Sequence, residues 1–246
     1  MLQWKQVIQL GTVLMNDMVI IIPARSGSKG IKNKNMTKVN SVTLLENTIL
    51  QALKFTKKEN IFVSTDSKIY LESVSHLEIN NNGLRPSKLS SDTAKIYDVI
   101  KYELDFIKNK SIEIFKNKIC YIFEPSFYGL RTNILRSLEI YKKNPKINSI
   151  FGAIKVPLKY NYYKQYYFDK DKLQFLGKNP NINRQNLKMT FIRSGEFYSF
   201  RIKEFYKENT IFPSDMFLLE TQKQFTNIDE KCDLKKIQLL NIKTEM

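Results

Sequence analysis

Short apolar runs alternating with amphipathic stretches set the plan of this chain. Val19-Ile20-Ile21-Ile22 is an uninterrupted β-branched run, the pattern of a strand covered on both faces. Leu44 to Leu53 carries apolar positions at helical spacing, and Ile61-Phe62-Val63 follows as a second strand ending in Ser64-Thr65-Asp66, so the three predict a βαβ unit. Polar residues at the carboxyl end of such a strand lie where open α/β sheets bind ligands, which makes Asp66 a candidate; a helix cap or turn explains it equally well. A helical run passes through Val99 and Leu104 to Ile107. Ile119 to Phe123 reads as a central buried strand, Ser149 to Ile154 as another, and Phe197 to Phe200 returns to the sheet. Between them, Tyr160 to Phe168 followed by Asp169-Lys170-Asp171-Lys172 predicts an aromatic hairpin with a polar turn, a pattern that ordinary edge strands also explain.

Composition changes this picture little. At 246 residues the chain is long enough for one large α/β domain with a small appendage and a substantial core. The net charge of +16 comes from 40 Lys+Arg against 24 Asp+Glu, mostly lysine spread evenly, with no dense basic block or basic amphipathic helix. That distribution argues against nucleic-acid and membrane partners and is compatible with anionic substrates. Two cysteines, Cys120 in an apolar run and Cys232 near the C-terminus, make neither a disulfide framework nor a metal spacing, and the simplest setting is a reducing cytoplasm. The single histidine, His76, has no partner at metal-ligand spacing. In residues 1–17, Gln9 interrupts the apolar stretch and no persuasive cleavage site follows, so no secretory signal is expected and Met18 reads as a natural start after an N-terminal extension.

The chemistry concentrates after the first strand. Gly27, Gly30, Ser26 and Ser28 let backbone N–H groups approach an anion, while Arg25, Lys29 and Lys34 bring positive charge to the same loop. An apolar strand opening into such a loop predicts a phosphate cradle, with a basic surface loop as the plainer alternative. The spacing is neither the P-loop nor the Gly-x-Gly-x-x-Gly pattern.

The wording Ile22-Pro23-Ala24-Arg25-x-Gly27-Ser28-Lys29-Gly30-Ile31-x-x-Lys34-Asn35 resembles the signature loop of the CMP-N-acylneuraminate synthetases, cytidylyltransferases that activate acidic nine-carbon sugars. The resemblance continues along most of the chain. Arg85-Pro86, Leu89 and Asp92-Thr93 match a segment that contacts the nucleotide in that family; read alone, Ser91 or Asp92 would cap the following helix. Glu124-Pro125 stands where the family writes Gln-Pro, and Leu130-Arg131 completes that loop. Lys164 matches a basic residue of the family's dimerisation arm, and Arg184-Gln185-x-Leu187 matches a run whose arginine would pair with the sugar carboxylate. Asn227-Ile228-Asp229 resembles the family's Asp-Ile-Asp, whose carboxylates hold magnesium, with an amide in place of the first carboxylate.

The resemblance implies a three-layer, mostly parallel, Rossmann-like α/β domain of the nucleotide-diphospho-sugar transferase type over residues 18–154 and 191–246, with a small β-rich arm over 155–190. It implies transfer of CMP from CTP to an acidic, sialic acid-like sugar, with Mg²⁺ as cofactor and a homodimer as the assembly. The expected catalytic residues are Arg25, Lys34 and Asp229. Nucleotide contacts are expected from Ala24, Arg25, Ser26, Gly27, Ser28, Lys34, Asn35, Arg85 and Asp92, and sugar contacts from Glu124, Lys164, Arg184 and Gln185. Asp229 and Asn227 are the expected metal ligands. The cytidylyltransferases of 3-deoxy-octulosonate are the neighbouring possibility, set second because their first loop lacks the Gly-Ser-Lys-Gly spelled by residues 27–30. A catalytically silent binding protein on the same scaffold is a third reading, motivated by Asn227 and Glu124.

Overall fold

The computed structural model describes residues 17–28, 30–39, 41–110, 118–126, 131–177, 181–221, 228, 230 and 232–233. Strand β1 (Met18–Pro23) is the centre of the molecule, its first five residues fully buried. It pairs in parallel with β4 (Ile61–Thr65) on one side and β6 (Ile119–Ile122) on the other. A two-stranded ladder of β2 (Lys38–Val39) and β3 (Val42–Thr43) leads into helix α1 (Leu44–Ala52), where the Thr43 hydroxyl accepts from the Glu46 amide and caps the first turn. Helix α2 (Lys68–Ser73) joins β4 to β5 (Asn80–Leu84), which adds in parallel at the edge.

Beyond β6 the sheet turns mixed. Strand β7 (Ser149–Lys155) lies between β10 (Phe191–Arg201) and β11 (Met216–Glu220), and the full order is β11-β7-β10-β6-β1-β4-β5. Strand β10 runs antiparallel to both neighbours, and the remaining pairings are parallel. Its register shifts between Arg193 and Tyr198, at a bulge where Gly195 takes φ of 72°. The bulge turns Glu196 inward, where Asn133 and Thr221 donate to its carboxylate and link β10 to both the helix on its face and the end of β11.

Alternation along β1 explains the three layers. Ile20 and Ile22 pack with Leu45, Ile49, Tyr70, Ile134 and Leu138, so α1, α2 and α4 (Arg131–Lys143) cover one face. Val19 and Ile21 pack with Ile100, Leu104, Ile107 and Phe205, so α3 (Ile96–Lys110) and α5 (Ile202–Glu208) cover the other. A β1 covered on both faces has to be apolar at every position, which is what its sequence shows.

The aromatic hairpin is present but shorter than its sequence predicts. Strands β8 (Tyr166–Asp169) and β9 (Lys172–Phe175) pair antiparallel through a two-residue turn in which Lys170 and Asp171 both have positive φ. Tyr160 and the residues up to Lys164 form 3-10 turns instead of a strand. Buried Asn161 is the cause, because its side chain accepts from the Tyr163 amide and donates to the Lys188 carbonyl, which locks the chain into turns there.

Candidate active site

The loop leaving β1 is fixed at three points. The Ala24 amide donates to the Ser64 carbonyl on β4, which continues the parallel ladder one residue past the strand. The Ser26 amide and hydroxyl donate to the two carboxylate oxygens of Asp66 at 2.8 and 2.9 Å. Buried Asn35 reaches back and donates to the Arg25 carbonyl at 3.0 Å, after Asn33 has reversed the chain with φ of 54°. A glycine- and serine-rich segment that would otherwise be loose is thereby held open, and a Cβ on Gly27 would meet nothing within 4 Å.

This loop forms one wall of a cleft of about 440 Å³ at the carboxyl ends of β1, β5 and β6. Arg25, Ser28, Lys34 and Asn35 line it from the loop, Arg85 and Asp92 from the opposite side, and Glu124 from the segment after β6. Arg25 Nη1 lies 2.9 Å from Asp92 and 3.2 Å from the Ser91 carbonyl, so the ion pair bridges the cleft from wall to wall. Asp92 therefore does not cap a helix, since α3 begins only at Ile96. Ala24 and Ser26 belong to the loop as anchors, and Gly27 as its open turn. Lys29, Asn227 and Asp229 lie outside the described residues.

Arg85 is the most enclosed of these cations, 5 % exposed. Its Nε donates to Ser90 Oγ at 3.1 Å and Nη1 to Ser64 Oγ at 3.4 Å. Burial works against its charge, Asp66 and Glu103 favour it, and Arg25 opposes it. Glu103, which sequence reasoning passed over, lies on α3 beneath this corner, and burial pushes its carboxyl up to about 7. A signal existed: Glu103 interrupts the apolar stripe of Val99, Ile100, Leu104 and Ile107 at helical spacing.

The expected sugar contacts are divided. Glu124 is in the cleft, but Lys164, Arg184 and Gln185 are not among its lining residues. Arg184 and Gln185 line a second cleft with Lys155, Val156 and Leu158 where the hairpin segment leaves the sheet, and Lys164 sits in the turn before β8. As for a metal, the Asp66 oxygens are held by Ser26 and Asp92 is paired with Arg25, and among the described residues no group of three or more His, Cys, Asp or Glu side chains is placed to hold an ion.

Residues 19–243 match the sequence model of the family described as Cytidylyltransferase. The chain belongs to the cytidylyltransferase family. Among its relatives, the pseudaminic acid cytidylyltransferase and UDP-2,4-diacetamido-2,4,6-trideoxy-beta-L-altropyranose hydrolase of Helicobacter pylori is 25 % identical over 202 residues, covering 82 % of this chain and 38 % of that one. The N-acylneuraminate cytidylyltransferase of Streptococcus agalactiae serotype V is 26 % identical over 221 residues, 87 % of this chain and 51 % of that one. The chain thus spans about half, or less, of the length of these two relatives. In three dimensions it resembles the CMP:2-keto-3-deoxy-manno-octonic acid synthetase solved in complex with CTP, with a TM-score of 0.66 and 13 % identity over 93 % of this chain and 99 % of that one. That likeness establishes the fold, a Rossmann-like, mostly parallel α/β domain, as the first-loop resemblance implies. In this cytidylyltransferase-family chain the cleft described above brings Arg25, Lys34 and Arg85 to one space.

Proposed function

We propose that this chain is a nucleotidyltransferase that couples CTP to an acidic nonulosonic, sialic acid-like sugar, giving the CMP-sugar and pyrophosphate. The observation that carries the reading is the convergence of Arg25, Lys34 and Arg85 on one cleft whose loop is held open by Asp66 and Asn35. Three cations around a space of that size suit a triphosphate better than a neutral ligand. In the reaction the anomeric hydroxyl oxygen attacks the α-phosphorus, its bond to phosphorus forms as the bond to the pyrophosphate oxygen breaks, and the hydroxyl proton leaves to solvent or a base. Arg25 and Lys34 stabilise the charge on the phosphate oxygens, with Arg85 holding the nucleotide alongside Ser28 and Asn35, while Ala24, Ser26 and Gly27 shape the loop that receives it. Asp92 orients Arg25 until the ligand arrives.

The sugar would meet Glu124 in the cleft. Lys164, Arg184 and Gln185 would reach it from the arm of a second copy, since the same chain holds Arg184 and Gln185 in a separate cleft. Mg²⁺ is the expected companion of the triphosphate, and Asp229 with Asn227 are its proposed protein ligands on their resemblance to the family's Asp-Ile-Asp. A cytoplasmic setting agrees with Cys120 and Cys232 being unbridged, and no helix among the described residues is long and apolar enough to cross a membrane.

Pyrophosphate release with CTP and a panel comprising N-acetylneuraminate, pseudaminate, legionaminate and 3-deoxy-octulosonate tests the reading. Turnover with a nine-carbon acid, reduced about a hundred-fold or more in Lys34→Ala with folding intact, is the expected result. Turnover confined to 3-deoxy-octulosonate, or none with any sugar, overturns it.

A further inference from the structure

Glu103 lies one helical turn beyond Val99 on α3, and Val99 lines the nucleotide cleft, so the carboxylate sits directly behind that wall. Its residue is 1 % exposed, and Oε2 is buried without a hydrogen-bond partner. A buried, incompletely paired carboxylate is costly, and an apolar residue would satisfy the helix stripe better. Its polar surroundings come from two elements. Ser64 of β4 hydrogen-bonds it, and the Arg85 guanidinium following β5 favours its ionised form. Arg85 Nη1 donates to the same Ser64 hydroxyl oxygen, so one side chain stands between the acid and the base. On its other side Arg85 faces the cleft, with Arg25 opposing its charge and Asp66 favouring it.

We propose that Glu103 is, beside Asp66, a counter-charge of Arg85 while the cleft is empty, and that the negative charge of a bound nucleotide takes over the share of Glu103 and leaves Glu103 protonated. The inference rests on the CTP reading given above. Glu103 touches no substrate in this scheme; it is a positioning residue that sets the electrostatic state of the arginine that does. The proton comes from solvent and attaches to Oε2, where no donor competes for the lone pairs. Since the carboxyl already sits at about 7, a nearby anion raises it further, and binding draws in a proton at neutral pH. Affinity for CTP therefore falls as pH rises through 7, and removing the acid strengthens binding on the alkaline side.

Calorimetric titration of CTP into wild type and Glu103→Gln, in two buffers of different ionisation enthalpy, reads this directly. For a ten-fold change in the acidity constant of Glu103 on binding, wild type takes up about half a proton more than the variant at pH 7.5. The same change makes Glu103→Gln bind CTP about five-fold more tightly than wild type at pH 8, and nearly equally at pH 6. The phosphates of CTP titrate alike in both proteins, so the difference isolates Glu103. Equal proton uptake with parallel pH profiles overturns the exchange. In the ligand-free protein, a thermal double-mutant cycle at pH 8 tests the pair by itself: Arg85→Met, or Arg85→Gln if that variant does not fold, should lower the Tm more in wild type than in the Glu103→Gln background. Additive effects overturn the pairing whatever CTP does. A coupled cycle in a protein that binds no CTP supports the pair and places the failure in the nucleotide reading.

Discussion

Asp66 accepts from both the amide and the hydroxyl of Ser26, so it acts on the loop and not on the ligand. Asp66→Asn keeps the shape but turns one acceptor into a donor facing Ser26. We expect kcat/KM for CTP to fall at least ten-fold while stability drops by about 1–2 kcal/mol, read by steady-state kinetics and urea denaturation side by side. A larger loss of stability than of activity would make Asp66 a fold residue only. Glu103 gives a second residue-scale expectation, in the ligand-free protein. Its folded-state pKa is raised, to about 7 from 4.5, so between these values the folded state binds more protons than the unfolded one and stability falls as pH rises. Glu103→Gln should therefore gain Tm relative to wild type between pH 5 and pH 8; a constant difference would show that the group does not titrate there. Residues such as Arg25, Lys34 and Arg85 were legible in the sequence because glycines and a preceding apolar strand marked their loop or because a family word carried them. Glu103 was legible only as an interruption of a helical stripe, since its meaning depends on Ser64 and Arg85 arriving from two other elements.

At the scale of elements, periodicity located β1, β4, β6 and β7 well because each is short, apolar and buried on both faces or nearly so. The antiparallel direction of β10 has no counterpart in local pattern, because strand direction is set by the connections and not by the residues of the strand. The hairpin shows a different limit: its aromatic content predicted a strand from Tyr160, and one buried asparagine decided otherwise. Its strands expose Tyr166, Phe168, Leu173 and Phe175 at 48–76 %, which an isolated two-stranded ribbon does not keep stable in water without something to pack on. We expect a second copy of the chain to cover them. Phe168→Glu combined with Phe175→Glu should convert a dimer to a monomer in light scattering at micromolar concentration, with the secondary structure of the main sheet unchanged. A wild-type monomer under the same conditions would refute the assignment.

For the molecule as a whole, the cleft holding Arg25 and Lys34 and the cleft holding Arg184 have no lining residue in common. If the sugar carboxylate pairs with Arg184 while the triphosphate lies against Arg25 and Lys34, we expect one site to draw on two copies, the loop from one and the arm from the other. Residue patterns alone do not show such a division, since both sets of residues lie on a single string; only the resemblance to a family with a dimerisation arm suggests it. It makes a strong test, because loss of function becomes separable by subunit. Lys34→Ala disables the loop of its own chain and Arg184→Ala the arm it lends to its partner, so each homodimer should be inactive. Mixed after mild dissociation and reassociation, half of the dimers are hybrids, and each hybrid holds one site with both an intact loop and an intact arm. The mixture should then recover about one quarter of wild-type activity, the product of one half for hybrids and one half for intact sites. Recovery must follow subunit exchange, tracked by mass spectrometry of differently tagged chains. Full exchange without recovered turnover would show that Arg184 serves the same chain as Lys34, and an active Arg184→Ala homodimer would show that it does not serve the site at all.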